Sequence, residues 1–229
     1  MTTLQKVARY HLVDRITYVA LPWGTMAFSF VVNLVIAAQV APDVNSYYTG
    51  GLLSIYVFLL ICGALSMSRS LPFAFMLGVS RRSYYLGTAL LVVTLGAVYG
   101  LALAVLQVIE RATDGWGVDM HFFRIPGILD GPWYETWLTS FVLLVLFFLY
   151  GMWYGLVYRR WSLPGLVAFI AAQILLVLAV VVAISITDSW HVLGDFFGNA
   201  TALALTGLLA AITVTMGVGG FTTLRKVTI

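Results

Sequence analysis

The side chains that could carry out acid–base, nucleophilic or metal chemistry are few and widely spaced in this sequence. The three histidines, His11, His121 and His191, lie in polar segments or near the ends of apolar runs. Cys62 lies in the middle of an apolar run, and as the only cysteine it excludes an internal disulfide. Neither HExxH nor GxSxG, which mark zinc-dependent and serine hydrolases, occurs. The sequence therefore predicts neither an enzyme nor a metal site.

The usual energy sources for active transport are also missing from this chain. No acidic, basic or histidine side chain lies deep inside an apolar run, so a coupled ion has no intramembrane site. The only lysines are Lys6 and Lys226, and neither belongs to a GxxxxGK[ST] phosphate loop. If this chain moves a substrate, it must therefore take its energy from a partner.

A few polar side chains do fall within the apolar runs. We consider Asn33, Gln107 and Gln173 as candidates for a substrate path. The alternative is that they hydrogen-bond to neighbouring helices, because lipid offers them no partner. Close helix packing is indicated by two GxxxG pairs, Gly96 with Gly100 and Gly151 with Gly155.

Composition shows which elements must position these residues. The chain is 62% hydrophobic and 9% charged, whereas soluble domains carry about 25% charged residues. We therefore predict an all-α integral membrane protein made of a single transmembrane domain, residues 1–229. Six apolar runs are long enough to span about 30 Å of hydrocarbon: Ile16–Gln39, Tyr48–Met67, Leu86–Ile109, Trp137–Tyr158, Leu163–Ile186 and Ala200–Phe221.

Charge is distributed asymmetrically between the segments that connect these runs. Ten of the twelve basic residues fall at the two ends of the chain and in two alternate connections: Lys6, Arg9, Arg15, Arg69, Arg81, Arg82, Arg159, Arg160, Arg225 and Lys226. The positive-inside rule makes this side cytoplasmic, with both termini inside. We predict a multi-pass protein of a bacterial plasma membrane whose net charge of +3 reports topology and indicates no nucleic-acid partner.

Three segments outside the spans are distinctive: residues 1–15, residues 110–136 and residues 68–83. Residues 1–15 predict a cytoplasmic amphipathic helix. The outer loop, residues 110–136, is acidic and rich in glycine, and we expect a packed loop, an exit cap or an accessory-protein site. Many aromatic residues, Tyr84 and Tyr85 among them, are expected in a belt at the membrane interface.

The third segment, residues 68–83, connects the second and third runs on the cytoplasmic side. Ser70 is expected to cap a new two-turn helix that Gly78 ends, and Ser80 to cap the next span. Phe73, Met76 and Leu77 share one apolar face, while Phe75 lies on the adjoining face. The apolar face could lie on lipid headgroups or enter a groove on a cytoplasmic partner.

The run LPFAFMLGVSRRSYYLGT, residues 71–88, resembles the cytoplasmic coupling segment of ABC-2-type permeases, the membrane subunits of ATP-binding-cassette exporters. A weaker likeness is YGLVYRRWSLPG, residues 154–165, which is similar to the Arg-Arg-Trp-Gly turn between the fourth and fifth spans of bacterial relatives. In this chain Ser162 stands where those relatives have glycine.

The resemblance implies a six-span, type V exporter-like permease fold and a short re-entrant segment before the last span. It also implies a second permease copy and a separate ABC ATPase that binds ATP and magnesium. The expected ATPase-docking residues are Leu71, Pro72, Phe73, Met76, Leu77, Gly78, Val79, Arg81 and Arg82. An alternative is a non-transporting immunity or sensor-scaffold membrane protein. The substrate is not encoded in these motifs.

Overall fold

Helices dominate the fold. A computed structural model describes residues 16–40 and 47–226, so the helix predicted at residues 1–15 lies outside the described residues. The helices are α1 (Leu21–Val40), α2 (Leu53–Leu65), α3 (Leu71–Met76), α4 (Arg81–Ala112), α5 (Trp133–Ile186), α6 (Trp190–Asn199) and α7 (Ala202–Lys226). Two π-helical turns, Ile16–Ala20 and Ser66–Ser70, extend α1 and α2. The two-residue strands β1 (Tyr47–Tyr48) and β2 (Met120–His121) pair in parallel.

Five of the helical stretches are long and apolar enough to cross a membrane. They are Ile16–Gln39, Leu53–Met76, Arg81–Ala112, Trp133–Ile186 and Ala202–Leu224. The predicted runs therefore coincide with helices, although several boundaries differ. The second helical stretch begins and ends later than predicted, and the outer loop is shorter than residues 110–136 at both ends.

The 54-residue helix α5 is two helical arms rather than one straight rod. Ser162 has φ 55° and ψ −158°, which breaks the helix between residues 161 and 163. The hydroxyls of Tyr150 and Tyr154 donate to Gln173 Oε1 at 2.6 and 2.7 Å. In a straight helix the 23 residues from Tyr150 to Gln173 would span about 35 Å, so the chain must fold back at Ser162. We call residues 133–161 the first arm and residues 163–186 the second arm.

The first arm forms the centre of the helical bundle, packed against α2, α4 and α7. Its contact with α2 is close enough that a Cβ at Gly151 would overlap the Leu60 carbonyl, and one at Gly63 would overlap the Phe148 carbonyl. Gly100 lies in similar contact with the backbone of the first arm. The predicted close packing at both GxxxG pairs is thus confirmed, because glycine is the residue that lets backbones approach this closely.

Burial falls off sharply beyond the first arm. Leu59, Leu91 and Phe148 are among the fully buried side chains where α2, α4 and the first arm meet, and Cys62 is also buried. The second arm and α6, by contrast, are exposed along almost their whole length. The described chain therefore has one well-packed core and a large apolar surface.

Candidate docking site

The segment between α2 and α4, residues 66–83, is the strongest candidate for a functional surface, and we call it the junction segment. It begins as a continuation of α2. Ser70 has helical dihedral angles, φ −76° and ψ −32°, and its side chain caps no backbone group. The prediction that Ser70 starts a new helix is therefore wrong. Instead, the helix continues through a π-helical turn, in which the Leu71 N–H donates to the Ser66 carbonyl five residues earlier.

Proline within this continuous helix leaves one carbonyl without its usual donor. Pro72 has no N–H to donate to Ser68 four residues earlier. Arg159, at the end of the first arm, supplies a donor from its guanidinium to the Ser68 carbonyl at 3.3 Å. The junction segment is thereby tied to the turn between the two arms.

Helix α3 is terminated by Gly78, as the sequence predicts. Gly78 has φ +75°, its N–H donates to the Phe75 carbonyl at 2.9 Å, and the Val79 N–H donates to the Ala74 carbonyl at 3.0 Å. This pair of bonds is a Schellman motif, which uses a left-handed glycine to end a helix. The Ser80 hydroxyl then accepts from the Ser83 N–H at 3.2 Å and caps α4, as predicted.

Two tyrosines hold the junction segment to the bundle. Tyr84 is fully buried, and its hydroxyl donates to the Ser66 carbonyl at 2.6 Å. Tyr85 is also buried and donates to the Gly217 carbonyl of α7 at 2.5 Å. Their assignment to an interfacial belt is therefore wrong. The sequence carried no signal for this, because both bonds join residues that are distant along the chain.

Helix α3 has one face in the core and one face in the open. Leu71 is 0% exposed and Ala74 is 5% exposed, whereas Phe73 is 46% and Met76 81% exposed. Phe75, on the adjoining face, packs against the hydrophobic core. The Arg81 guanidinium lies 6.0 Å from the centre of the Phe75 ring, the outer limit of a cation–π contact.

The nine predicted docking residues divide according to these faces. Those that are open to an external partner are Phe73, Met76, Leu77, Gly78 and Arg82. Those that are buried or half-buried within the chain are Leu71, Pro72, Val79 and Arg81.

The exposed face lies among positive charges. Arg69 and Arg82 of the junction segment and Arg160 of the turn between the arms are exposed. Among the described residues, every acidic side chain belongs to another connection or to a helix end beside one. The surface therefore combines an apolar patch, Phe73, Met76 and Leu77, with arginines. Such a surface suits a partner that is both apolar and acidic.

The predicted substrate-path residues are not brought together. Asn33 donates to the Ser29 carbonyl at 2.8 Å and accepts from the Thr49 hydroxyl. Gln107 is buried and donates to the Gly131 carbonyl at 3.3 Å, while Gln173 joins the two arms. Asn33 and Gln107 thus bond to connecting segments, and Gln173 bonds to the neighbouring helical arm.

The outer loop contains a buried carboxylate that sequence reasoning did not single out. Glu110 is fully buried, and its Oε2 accepts from the backbone N–H groups of Phe122 and Phe123 at 2.9 Å and from the Trp116 indole at 3.0 Å. Its Oε1 accepts from the Arg124 backbone N–H at 3.0 Å. The sequence indicated only an acidic residue at the end of a span, and the loop that surrounds it could not be predicted.

A second polar cluster closes the same loop at its surface. Asp130 accepts from the side chain of Arg124 at 2.8 Å and from that of Arg111 at 3.3 Å. Partial burial acts to raise the pKa of Asp130, but the hydrogen bonds and charges of the two arginines together lower that pKa. Asp130, Arg111 and Arg124 are therefore paired with one another, whereas the buried Nδ1 of His121 in the same loop has no hydrogen-bond partner in the described part of the chain.

Comparisons with protein-family models, with curated proteins and with solved structures find no match to this chain. The contacts described above are accordingly the basis on which a function can be proposed.

Proposed function

We propose that this chain is the membrane-spanning permease subunit of an ATP-driven exporter in a bacterial plasma membrane. A separate ATPase subunit, related to those of ABC transporters, would dock on the junction segment and supply the energy. Two copies of the chain would form the substrate pathway.

The proposed topology has six spans with both termini in the cytoplasm. The hairpin at Ser162 supports this count, because residues 133–161 and 163–186 each form a helix longer than about 30 Å at 1.5 Å per residue. The hydrogen bonds between Tyr150, Tyr154 and Gln173 hold these two helices side by side. The positions of the arginines support the orientation.

The observation that carries the proposal is an exposed apolar face on a firmly held helix end. Phe73, Met76 and Leu77 project from α3, which continues α2 without a break. The same helix is held by Arg159, by Tyr84 and by the close crossing with the first arm. A push on α3 would thus be passed directly to two spans, which is what coupling to a cytoplasmic motor requires.

A second copy is proposed because the described part of one chain encloses no path. The first arm fills the centre of the bundle, so the described chain has a packed core where a channel would have to run. The exposed apolar surface of the second arm and α7 is available to lipid or to another subunit. In this proposal the substrate crosses between the two permeases.

Docking can be tested by co-purification from the native membrane in mild detergent. Replacing both Phe73 and Met76 by Ala should lower ATPase recovery, since loss of an interface anchor costs about 1–3 kcal/mol, or roughly 5- to 150-fold in affinity. The matched control is Phe28→Ala, because Phe28 is similarly exposed but lies on α1. Full ATPase binding by the double variant, or the absence of any bound ATPase in the parent protein, would contradict the proposal and favour the non-transporting alternative.

Topology can be tested separately by cysteine labelling on intact cells. Cys62 is buried, so it provides a low background. Asp119→Cys in the outer loop should react with a membrane-impermeant thiol reagent, and Ser83→Cys in the junction segment should react only after the cells are opened. The reverse pattern, or labelling of both sites on intact cells, would contradict the orientation.

A further inference from the structure

A cleft of about 620 Å³ opens between α6 and α7, on the side of the molecule opposite the junction segment in the proposed topology. Its volume lies within the range of roughly 300–1,000 Å³ that is usual for small-molecule sites. The cleft is lined by Val192, Asp195, Phe196, Asn199, Ala200, Ala204, Leu205 and Leu208. Seven of these eight side chains are uncharged, and six are apolar.

Helix α6 places its single acidic residue at the wall of this cleft. His191, Asp195 and Asn199 are four residues apart and form one polar stripe, while Val192 and Phe196 lie directly beside it. The stripe and the apolar side chains therefore meet along the line that faces the cleft. A ligand in the cleft would touch an apolar surface and a carboxylate at the same time.

The carboxylate of Asp195 makes no ion pair or hydrogen bond within the described part of the chain. Of the neighbouring polar groups, the Asn199 amide donates to the Asp195 backbone carbonyl at 2.8 Å, and His191 Nδ1 lies 3.0 Å from the Asp188 carbonyl oxygen. No Lys or Arg lies on α6 or among the residues that line the cleft. The negative charge is thus left for an external cation.

We propose that this cleft binds an amphipathic organic cation. Its apolar body would pack against Phe196, Leu205 and Leu208, and its cationic centre would lie beside Asp195. Phe196 would add a favourable ring face for the positive charge. That such a cation is also the exported cargo rests on the proposed function, whereas binding at the cleft does not.

The same chemistry, a positive charge on an apolar body, is present in free organic cations and in phosphatidylethanolamine. We assign the cleft to a free organic cation, because it is open and of small-molecule size. Phosphatidylethanolamine is then a competitor that the experiment must separate.

The test measures binding of tetraphenylphosphonium to the purified full chain in a non-ionic detergent. Asp195→Asn should weaken binding about tenfold, because the charge is removed while the shape is kept. Tetraphenylborate, which has nearly the same shape and the opposite charge, should bind the parent protein more weakly than the cation does. The matched control is Asp188→Asn, an exposed carboxylate outside the cleft lining, which should leave the affinity unchanged.

A second variant tests whether the apolar wall of the cleft contributes to binding. Phe196→Ala should weaken binding of the cation although the carboxylate remains. Equal affinity of the parent protein and Asp195→Asn for the cation would overturn the proposal, and so would equal affinity of the parent protein for cation and anion. Added phosphatidylethanolamine that abolishes cation binding, when phosphatidylglycerol does not, would also overturn it by assigning the cleft to lipid. None of these measurements uses the ATPase, so the cation-binding proposal can hold even if the docking experiment fails.

Discussion

The outer loop and the junction segment both connect helices, but they differ in how far their side chains are paired within the chain. In the outer loop, Glu110 accepts four hydrogen bonds from surrounding N–H groups, and Asp130 is paired with two arginines. The junction segment is equally well anchored through Tyr84 and Arg159, yet it leaves a cluster of large apolar side chains exposed. The carboxylates of Glu110 and Asp130 are thus paired within the chain, whereas the junction segment keeps large apolar side chains exposed, which supports the partner surface that we propose there.

The largest effect that would test this comparison is expected from Glu110→Ala. The change leaves four N–H donors without their acceptor in a buried site, and each unsatisfied group costs about 1–3 kcal/mol. We expect the free energy of unfolding to fall by about 4 kcal/mol or more. Thermal unfolding in detergent and protease cleavage within residues 113–132 would measure it.

Two further variants make that test specific. Glu110→Gln keeps one acceptor oxygen, which can serve the three donors of Oε2, and should therefore cost less than Ala. Asp188→Asn removes an exposed carboxylate outside this network and should change nothing. If Glu110→Ala left both stability and protease resistance at the parent level, the outer loop could not be regarded as self-supporting.

The next effect contrasts the two faces of α3. Leu71 is fully buried and Met76 is 81% exposed, although the two residues are little more than one turn apart. Leu71→Ala should lower the free energy of unfolding by about 2–4 kcal/mol through loss of buried contact. Met76→Ala should change it by less than about 0.5 kcal/mol. Similar losses of stability for the two variants would mean that the exposed face is covered within the chain.

Hydropathy predicted the positions of the helices but not which helix forms the core. The two arms of α5 are both strongly apolar, and their sequences alone would make either of them central. The difference lies in details such as Gly151 and Gly155, which let the first arm contact α2. In lipid both buried and exposed positions are apolar, so the usual contrast between core and surface is absent and packing residues must be recognised instead.

The candidate site was predicted only in part for a similar reason. Gly78 and Ser80 act locally, so their roles as helix end and helix cap could be inferred from neighbouring residues. Ser70 was misassigned, because the continuous helix depends on a π-helical turn and on a distant arginine. Glu110 was overlooked because its donors lie 6 to 14 residues further along a loop of irregular structure.

A smaller, stabilising effect is expected from Ser162→Gly. Ser162 has φ 55° and ψ −158°, a region that is essentially restricted to glycine and costs about 1–3 kcal/mol in other residues. Asp114 of the outer loop, with φ 47° and ψ 54°, lies in a milder left-handed region that aspartate tolerates. Glycine should therefore raise the free energy of unfolding by about 1 kcal/mol or more.

The control for this variant is Ser162→Ala, which removes the hydroxyl but keeps the Cβ atom that makes this backbone conformation unfavourable. Alanine should leave stability close to the parent value, and thermal unfolding of the three proteins would separate backbone strain from loss of the hydroxyl. Equal stability of the glycine and alanine variants would show that the turn between the arms is not strained. The backbone strain of the turn between the arms would then be closer to that of the outer loop than the dihedral angles indicate.

The smallest effect concerns the pH dependence of the outer loop. Arg124 and Arg111 lower the pKa of Asp130 against the opposing effect of its partial burial, so the folded protein holds the carboxylate in its charged form more strongly than the unfolded chain does. The pairs therefore contribute stability at pH values above the unfolded pKa of about 3.9, and this contribution is lost as pH falls through the lower folded pKa. The Asp130 side chain is 37% exposed, so solvent screening should keep the contribution below about 1 kcal/mol.

Asp130→Asn should accordingly be slightly less stable than the parent protein near pH 6 and equally stable well below pH 4. The measurement is the difference in thermal unfolding between the two proteins at low ionic strength across this pH range. The effect should be specific to the outer loop, because the junction segment has no acidic side chain among its described residues. Raising the salt concentration should shrink the difference, since the pair is exposed enough to be screened. A difference that persisted unchanged at low pH would have to come from the shape or hydrogen bonding of the side chain. The closure of the outer loop would then depend on the buried Glu110 network and not on its surface charges.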